Sequence, residues 1–179
     1  MRRVLMGLVL IAVLAWAVWI FAIAPRRSEV SAPPSADTLS TGYKSARLFF
    51  ASASADTLVS ESRELAETQG LHPQVASLVS ELDRGPTGPG VAALPPGTSV
   101  LHVYLDDRGL MTLDLSRAFQ QGFRGGSSAE YLAIASLMRT LAANVPEVKS
   151  VLIVCGGAPL ATLGGHLPLD RPIEVSELP

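Results

Sequence analysis

The residues best suited to chemistry lie in two glycine-rich segments of the C-terminal half of the chain. The first precedes a predicted helix, where free amides and the helix dipole could bind an anion. The second ends on a histidine, which could act as a general base or a metal ligand. An acidic residue near the first segment is a candidate catalytic acid. The candidate ligand or interaction residues are Gly125, Gly126, Ser127, Glu130, Gly164, Gly165 and His166.

A structural role competes with chemistry for these residues. Ser127 and Glu130 have the S-x-x-E spacing of a capping box, in which hydroxyl and carboxylate satisfy free amides at a helix start. His72 and His102 lie in unrelated contexts, and no Cys or His stands at metal-ligand spacing from His166. The sequence contains no G-x-S-x-G, P-loop or H-E-x-x-H motif. It therefore predicts no enzyme, no catalytic residue, and no metal or cofactor site.

Two predicted helices would position these segments. One begins near Pro73, which suits a first helical turn, and ends at the Gly/Pro loop of residues 85–90. The other runs from the capping box to Asn144-Val145-Pro146. The apolar stripe of the first helix consists of Val75, Leu78, Val79 and Leu82. The stripe of the second consists of Tyr131, Ile134, Ala135, Leu137, Met138 and Leu141.

The predicted strands form two hairpins and a central strand. Residues 47–51 and 57–65 are extended candidates joined by a short polar turn, and residues 100–105 and 110–115 alternate around a turn at 106–109. The apolar run at 151–155 predicts a strand buried on both faces, with residues 161–163 as a short partner. The predicted class is α+β, with two main helices on one face of a mixed β-sheet.

An N-terminal apolar run predicts a transmembrane helix before this domain. In residues 4–24, 20 of 21 residues are apolar, and 21 residues at about 1.5 Å each span roughly the 30 Å of a bilayer core. Arginines flank both ends, at residues 2–3 and 26–27, so the charges alone do not decide the orientation. We expect an uncleaved signal anchor with the C-terminal domain outside the cytoplasm; a cleaved signal peptide is the alternative. The Pro- and Ser-rich residues 25–43 predict a tether.

The composition excludes several classes of protein. The 179 residues are 48% hydrophobic and 17% charged, with a net charge of −2 and a mean hydropathy of +0.34. Beyond the predicted anchor, basic residues are fewer than acidic ones, and the aromatic residues are not interleaved with Lys or Arg, so a nucleic-acid partner is not expected. Cys155 is the single cysteine, which excludes an intramolecular disulfide and favours a buried core role.

A series of short motifs resembles the GerMN domain, a family named for sporulation and spore-germination proteins. The similarity extends from about residue 46 to 173, so the predicted organisation is an anchor at 1–24, a linker at 25–43 and a single GerMN domain at 44–175. The motifs that carry the resemblance are Leu94-Pro95-Pro96-Gly97-Thr98, Leu113-Asp114-Leu115-Ser116, Gly125-Gly126-Ser127 with Glu130, Val148-Lys149-Ser150-Val151 and Thr162-Leu163-Gly164-Gly165-His166.

The resemblance implies a membrane-anchored, extracytoplasmic domain in the bacterial cell envelope. One interpretation is a non-catalytic interaction or scaffold module that presents sheet edges and loops to another envelope protein. The alternative is a module that binds cell-wall glycan (peptidoglycan) or a small ligand through residues 125–127 and 164–166. The predicted lipid contact is through residues 4–24. A GerMN domain does not require a sporulating host, so no germination role is assigned.

Overall fold

The structure, a computed structural model, describes residues 42–177. The predicted anchor at residues 4–24 and nearly all of the linker lie outside this range. Within residues 42–177, no helix has both the length and the apolar character that crossing a bilayer requires. The membrane crossing therefore stays a prediction about a part of the chain that the structure does not describe.

The first sheet is built on a long antiparallel hairpin. Strand β1 (Tyr43–Ser52) pairs with β2 (Leu58–Ala66) along its whole length, and the two-residue β3 (Gly90–Val91) pairs with the end of β1. The predicted hairpin is confirmed, with a first strand longer than expected. Alternate β1 side chains enter the core, because successive residues of a strand point to opposite faces; these are Ala46, Leu48 and Phe50.

The second sheet contains the remaining strands of the described residues. Its order is β4 (Val100–Leu105), β5 (Leu110–Leu115), β6 (Ser150–Cys155) and β7 (Ala158–Pro159), and β8 (Ile173–Glu174) also pairs with β6. β5 and β6 run parallel, whereas the other pairs are antiparallel. The α+β class is confirmed, but the expected single mixed sheet is wrong, because the strands form two sheets.

Two details of the strand prediction are also corrected. Residues 161–163 form no strand, because Gly156 and Gly157 turn the chain back at once, both at positive φ, so that β7 pairs directly with the end of β6. β6 is not buried on both faces. Val151 and Ile153 lie in the core, but Leu152 and Val154 on the opposite face are only partly buried.

Three α-helices occur in residues 42–177: α1 (Leu71–Arg84), the short α2 (Arg117–Gln121) and α3 (Ser127–Asn144). The apolar stripe predicted for α1 is fully buried, as is that of α3 with the exception of Tyr131. Tyr131 remains 36% exposed, because it lies on the side of the helix that borders a surface groove. The sequence did not predict α2, which buries Phe119.

Polar side chains of α3 bond to the backbone edge of β1. Ser136 Oγ donates to the Phe49 carbonyl at 2.5 Å, and the Phe49 amide donates to Thr140 Oγ1 at 3.1 Å. One turn further, Asn144 accepts from the Arg47 amide at 3.0 Å and donates to the Arg47 carbonyl at 2.8 Å. Helix side chains thus replace a neighbouring strand along an edge that β3 covers only at its end.

Candidate functional site

The centre of the predicted site is the carboxylate of Glu130, in the first turn of α3. Its side chain is fully buried. Oε1 accepts hydrogen bonds from the amides of Leu163 at 3.0 Å and Gly164 at 2.8 Å. Oε2 accepts from the His166 amide at 2.8 Å and lies 3.0 Å from His166 Nδ1. Glu130 therefore joins the start of α3 to the loop of residues 162–167.

This arrangement corrects the predicted capping box. α3 begins at Ser127 itself, so the N-cap is Gly126, and no side chain caps the helix. Ser127 is one residue too late to act as the cap. The loop offers Glu130 several converging donors, whereas a capping box offers its acidic residue one amide. The carboxylate therefore turns away from its own helix start and towards the loop.

The hydrogen bonds keep Glu130 ionised. Burial alone would raise the pKa of this carboxyl, but donors from the Gly164, His166 and Leu167 backbone, together with the His166 ring, lower its pKa to about 2. An ionised carboxylate already saturated with donors is a poor general acid at neutral pH. Glu130 is thus suited to positioning the loop.

The ring of Phe123 fills the space between the two glycine segments. A Cβ on Gly164 would lie 2.6 Å from Phe123 Cε1 and 3.1 Å from Glu130 Oε2. A Cβ on Gly125 would lie 3.1 Å from Phe123 Cζ and 2.5 Å from the Ala129 Cβ. Glycine at both positions therefore permits the ring and the carboxylate to pack between the segments. Phe123 was not among the predicted site residues, although it is the one large apolar residue in the stretch GFRGG.

The remaining predicted residues have looser surroundings. A Cβ on Gly126 or Gly165 would meet no atom within 4 Å, although Gly165 has a φ of 94° that favours glycine. The Gly165 amide donates to Thr162 Oγ1. Ser127 is exposed and borders a cavity of about 310 Å³. The structure thus brings residues 125–130 and 163–166 together around Glu130 and Phe123, with Gly126, Ser127 and Gly165 at the surface.

His166 presents a half-exposed imidazole whose Nδ1 faces Glu130. With Nδ1–H donated to an ionised carboxylate, the ring is held in one orientation. The other histidines lie elsewhere: His72 Nε2 is 3.2 Å from the Leu101 carbonyl, and His102 Nδ1 is 3.3 Å from Asp114 Oδ2. Among residues 42–177, no group of three or more His, Cys, Asp or Glu side chains could hold a metal ion.

A cavity of about 500 Å³ lies beside Phe123, within the volume range of ligand sites. It lies between the β1–β2 turn, the segment before β4 and the first turns of α3. Small apolar side chains make most of its wall, including Ala51, Ala92 and Ala129, while Arg124 supplies a cation. The Arg124 guanidinium donates to the carbonyls of Gln121 and Phe123, both at 2.7 Å. The wall chemistry suits an apolar group better than a polar reactant.

The second candidate surface is the partly exposed face of the second sheet. The register places Tyr104, Thr112 and Leu152 in one row across β4, β5 and β6. Val154 lies on the same face of β6, two residues beyond Leu152. Tyr104 is 67% exposed, and the other three side chains are partly buried. We refer to these four residues as the open face.

The open face was not predicted from the sequence. The run at 151–155 is apolar at every position and shows no alternation, so it does not indicate an exposed face. A signal was present in β4, where exposed Tyr104 alternates with Val103 and Leu105, which pack against the core. The face offers apolar contact, and in the row of Val154 it also carries His102, whose Nδ1 lies 3.3 Å from Asp114 Oδ2.

Comparison with known proteins gives one family. The family model "Germane: Sporulation and spore germination" matches residues 47–161. No curated protein matches the sequence significantly.

Solved structures resemble the fold at low sequence identity. A candidate lipoprotein from Clostridium perfringens is 18% identical with a TM-score of 0.55, over 77% of this chain and 91% of that one. The tandem GerMN domains of the sporulation protein GerM from Bacillus subtilis are 17% identical with a TM-score of 0.60, over 76% of this chain and 48% of that one. The first GerMN domain of GerM alone is 18% identical with a TM-score of 0.59, over 73% and 97%.

Proposed function

This chain belongs to the Germane family of sporulation and spore germination domains, and from that we propose that it is a non-catalytic interaction module of the bacterial cell envelope. Its partner is another envelope protein, which the domain holds at the membrane surface. The proposal includes the single-pass anchor at residues 4–24, the tether at residues 25–43 and one extracytoplasmic GerMN domain at residues 44–175.

The open face is the observation that carries this proposal. Tyr104, Leu152 and Val154 place apolar surface on the face of a sheet opposite the core. Apolar side chains grouped on an accessible face are typical of protein contact surfaces. A reactive centre would require converging nucleophiles, acids or bases, and the buried Glu130 is instead committed to the loop of residues 162–167.

The outer edge of β4 extends the same surface. Within the described residues β4 pairs with β5 alone, and its pairing shifts register between Val100 and His102. Backbone groups on an unpaired edge can accept a strand from another protein. A partner that covers the open face could therefore also add a strand beside β4.

The location outside the cytoplasm rests on the sequence and on one relative. The apolar run of residues 4–24 has the length of a bilayer crossing, and the Clostridium perfringens relative is a candidate lipoprotein. A reporter enzyme that is active only in an oxidising compartment, fused after Pro179, should be active. Activity of a matched cytoplasmic reporter instead would contradict this orientation.

Crosslinking in membranes followed by affinity capture tests the interaction. Leu152→Glu places a charge on the open face and should lower the yield of captured envelope protein at least fivefold. Ala66→Glu, at an exposed strand position of the other sheet, should leave the yield unchanged. Equal yields from both variants, with folding verified by circular dichroism, would refute a role of the open face.

The second candidate function is binding of wall glycan or a small ligand through residues 125–127 and 164–166. The cavity of about 310 Å³ that Ser127 borders favours it. Gly126→Trp tests this alternative, because Gly126 is exposed and a Cβ there would meet no atom within 4 Å, so the fold should be retained. If this alternative holds, the variant should lose affinity for purified peptidoglycan, and capture of wall fragments without any protein would displace our preferred function.

A further inference from the structure

The outer edge of β4 lacks the features that usually protect an edge strand. Natural edge strands avoid pairing with other chains through charged residues, proline or bulges. Residues 100–105 contain no proline and no Lys, Arg, Asp or Glu. The register shift of this strand lies at its start, between Val100 and His102. The rest of β4 is a regular strand that, within residues 42–177, pairs with β5 alone, so its outer edge can accept another strand.

The hairpin fixes which residues of β4 direct their backbone groups outward. The Asp106 amide donates to the Leu110 carbonyl at 3.0 Å, which makes these two residues a hydrogen-bonded pair of the hairpin. Bonded and non-bonded pairs alternate along an antiparallel ladder. Val103 and Leu105 are therefore in non-bonded pairs with β5, and their amides and carbonyls face the outer edge.

A second copy of β4 fits this edge about a two-fold axis through Tyr104. In antiparallel order, Tyr104 faces Tyr104 of the second copy, and Val103 faces Leu105. Each Val103–Leu105 pair can exchange both of its backbone hydrogen bonds. A register centred on Val103 would instead need the backbone of Leu101, whose carbonyl lies 3.2 Å from His72 Nε2. The edge is therefore self-complementary about Tyr104.

The same register brings complementary polar groups together at both ends of the contact. His102 faces Asp106 of the second copy, because each lies two residues from the axis. The Leu110 and Arg108 amides donate to Asp106 Oδ1 and lower the pKa of this carboxyl, which is therefore ionised. His102 Nδ1 lies 3.3 Å from Asp114 Oδ2, and a protonated imidazole donates from both nitrogens. His102 can thus join Asp114 of its own chain to Asp106 of the second copy.

We propose that β4 pairs with β4 of a second copy, antiparallel and centred on Tyr104, so that two domains share one continuous sheet. Tyr104 is 67% exposed in one chain and gains an aromatic neighbour in the pair. The envelope protein of the proposed function then meets the two open faces, which lie side by side. A single edge is a small interface, so the pairing rests on the proposed function in one respect: the membrane anchor concentrates the copies at one surface.

Cysteine crosslinking of the full chain, in living cells of a heterologous bacterial host, tests the pairing. Tyr104→Cys places two thiols on the axis, at facing positions whose Cα atoms should lie about 4.5 Å apart, within the span of a disulfide. Mild oxidation should give a product of twice the chain mass, at least tenfold more than from His102→Cys or Tyr43→Cys. The unmodified chain, with its buried Cys155, sets the baseline.

The two control positions separate a defined register from random collision. In the proposed pair, residue 102 lies four residues out of register from residue 102 of the second copy, roughly 13 Å along the strand, which a disulfide cannot span. Tyr43 is 72% exposed and lies on the other sheet. Equal yields from Tyr104→Cys and Tyr43→Cys would overturn the proposal. A Tyr104→Cys product of another mass would assign the edge to a different protein and would overturn it as well.

A second substitution in the Tyr104→Cys chain tests the backbone ladder. Val103→Pro removes an outward amide and none that bonds to β5, which an edge strand tolerates, and it should lower the crosslink yield at least fivefold. Val103→Ala keeps the amide and should change the yield less than twofold. Equal yields from these two variants, with folding verified by circular dichroism, would contradict the pairing.

These experiments distinguish the pairing from the proposed contact with an envelope protein. The host lacks the native partner, so the crosslink does not depend on it. Failure of the crosslink, while Leu152→Glu still lowers the captured yield, would refute the pairing alone. A crosslink that forms while no envelope protein is captured supports the pairing and would refute the proposed partner.

Discussion

Glu130 shows how one side chain can organise two distant segments of sequence. Its carboxylate collects donors from residues 163, 164 and 166, which lie more than 30 positions away. The sequence pattern singled out Gly164 and His166, but not Leu163, and the predicted capping box gave Glu130 a partner within its own helix. Local spacing indicates which amides are near along the chain, whereas the partner here depends on how the loop folds back.

Glu130→Gln should destabilise the domain, because a carboxamide presents an NH₂ group to part of the donor set. Loss of charge-assisted hydrogen bonds at a buried site predicts a decrease of about 2–4 kcal/mol in the free energy of unfolding. Urea denaturation measures this free energy. Glu64→Gln, at an exposed position of β2, is the matched control and should stay within about 0.5 kcal/mol. Identical midpoints for both variants would contradict the role given to Glu130.

The pH dependence of stability should reflect the same carboxylate. The pKa of Glu130 is about 2 in the folded protein, below its ordinary 4.5. The stabilisation is therefore complete above about pH 4.5 and is lost as the pH falls towards 2, by about 3 kcal/mol at most. The Thr87 hydroxyl and Arg63 also lower the pKa of Glu61 to about 2. Between pH 7 and pH 3, the free energy of unfolding should thus fall less steeply in Glu130→Gln than in the unmodified protein. Some pH dependence should remain, because Glu61 still titrates.

Hydrogen bonds between α3 side chains and the backbone of β1 join the helix to the first sheet, and we call this set the α3–β1 ladder. Asn144→Leu removes the partners of both backbone groups of Arg47. Unpaired polar groups at such a site should cost about 2–4 kcal/mol in the free energy of unfolding. Faster hydrogen exchange of the Arg47 amide is the specific measurement. Ser128→Ala, at an exposed position of the same helix, should leave that exchange rate unchanged; equal rates in both variants would contradict the ladder.

Most elements could be predicted because their signals are local. The apolar spacing of α1 and the alternation of the second hairpin each reflect a single buried face, which the sequence displays directly. The division into two sheets is not local. It depends on α3 covering the edge of β1 with Ser136, Thr140 and Asn144, which in the sequence look like ordinary polar interruptions of an apolar helix.

For the whole molecule, the sequence predicted the neighbourhood of the candidate site better than its chemistry. Residues 125–130 and 163–166 do come together, as their glycines suggested, but around Phe123 and a saturated carboxylate. Only the β4 part of the open face could be anticipated, from the alternation around Tyr104, because exposure of Leu152 and Val154 depends on which side of the sheet the helices occupy. The open face and the surroundings of Glu130 both arise from the packing of layers, which single-sequence patterns do not encode.

Site-specific photocrosslinking in living cells can detect the proposed contact between the open face and an envelope protein. A photoreactive phenylalanine analogue would replace Tyr104 on the open face or, as a control, Tyr43 at the start of β1; these side chains are 67% and 72% exposed. We predict a discrete crosslinked protein from position 104 and none from position 43. Crosslinks of equal yield at both positions, or none at position 104, would contradict the claim.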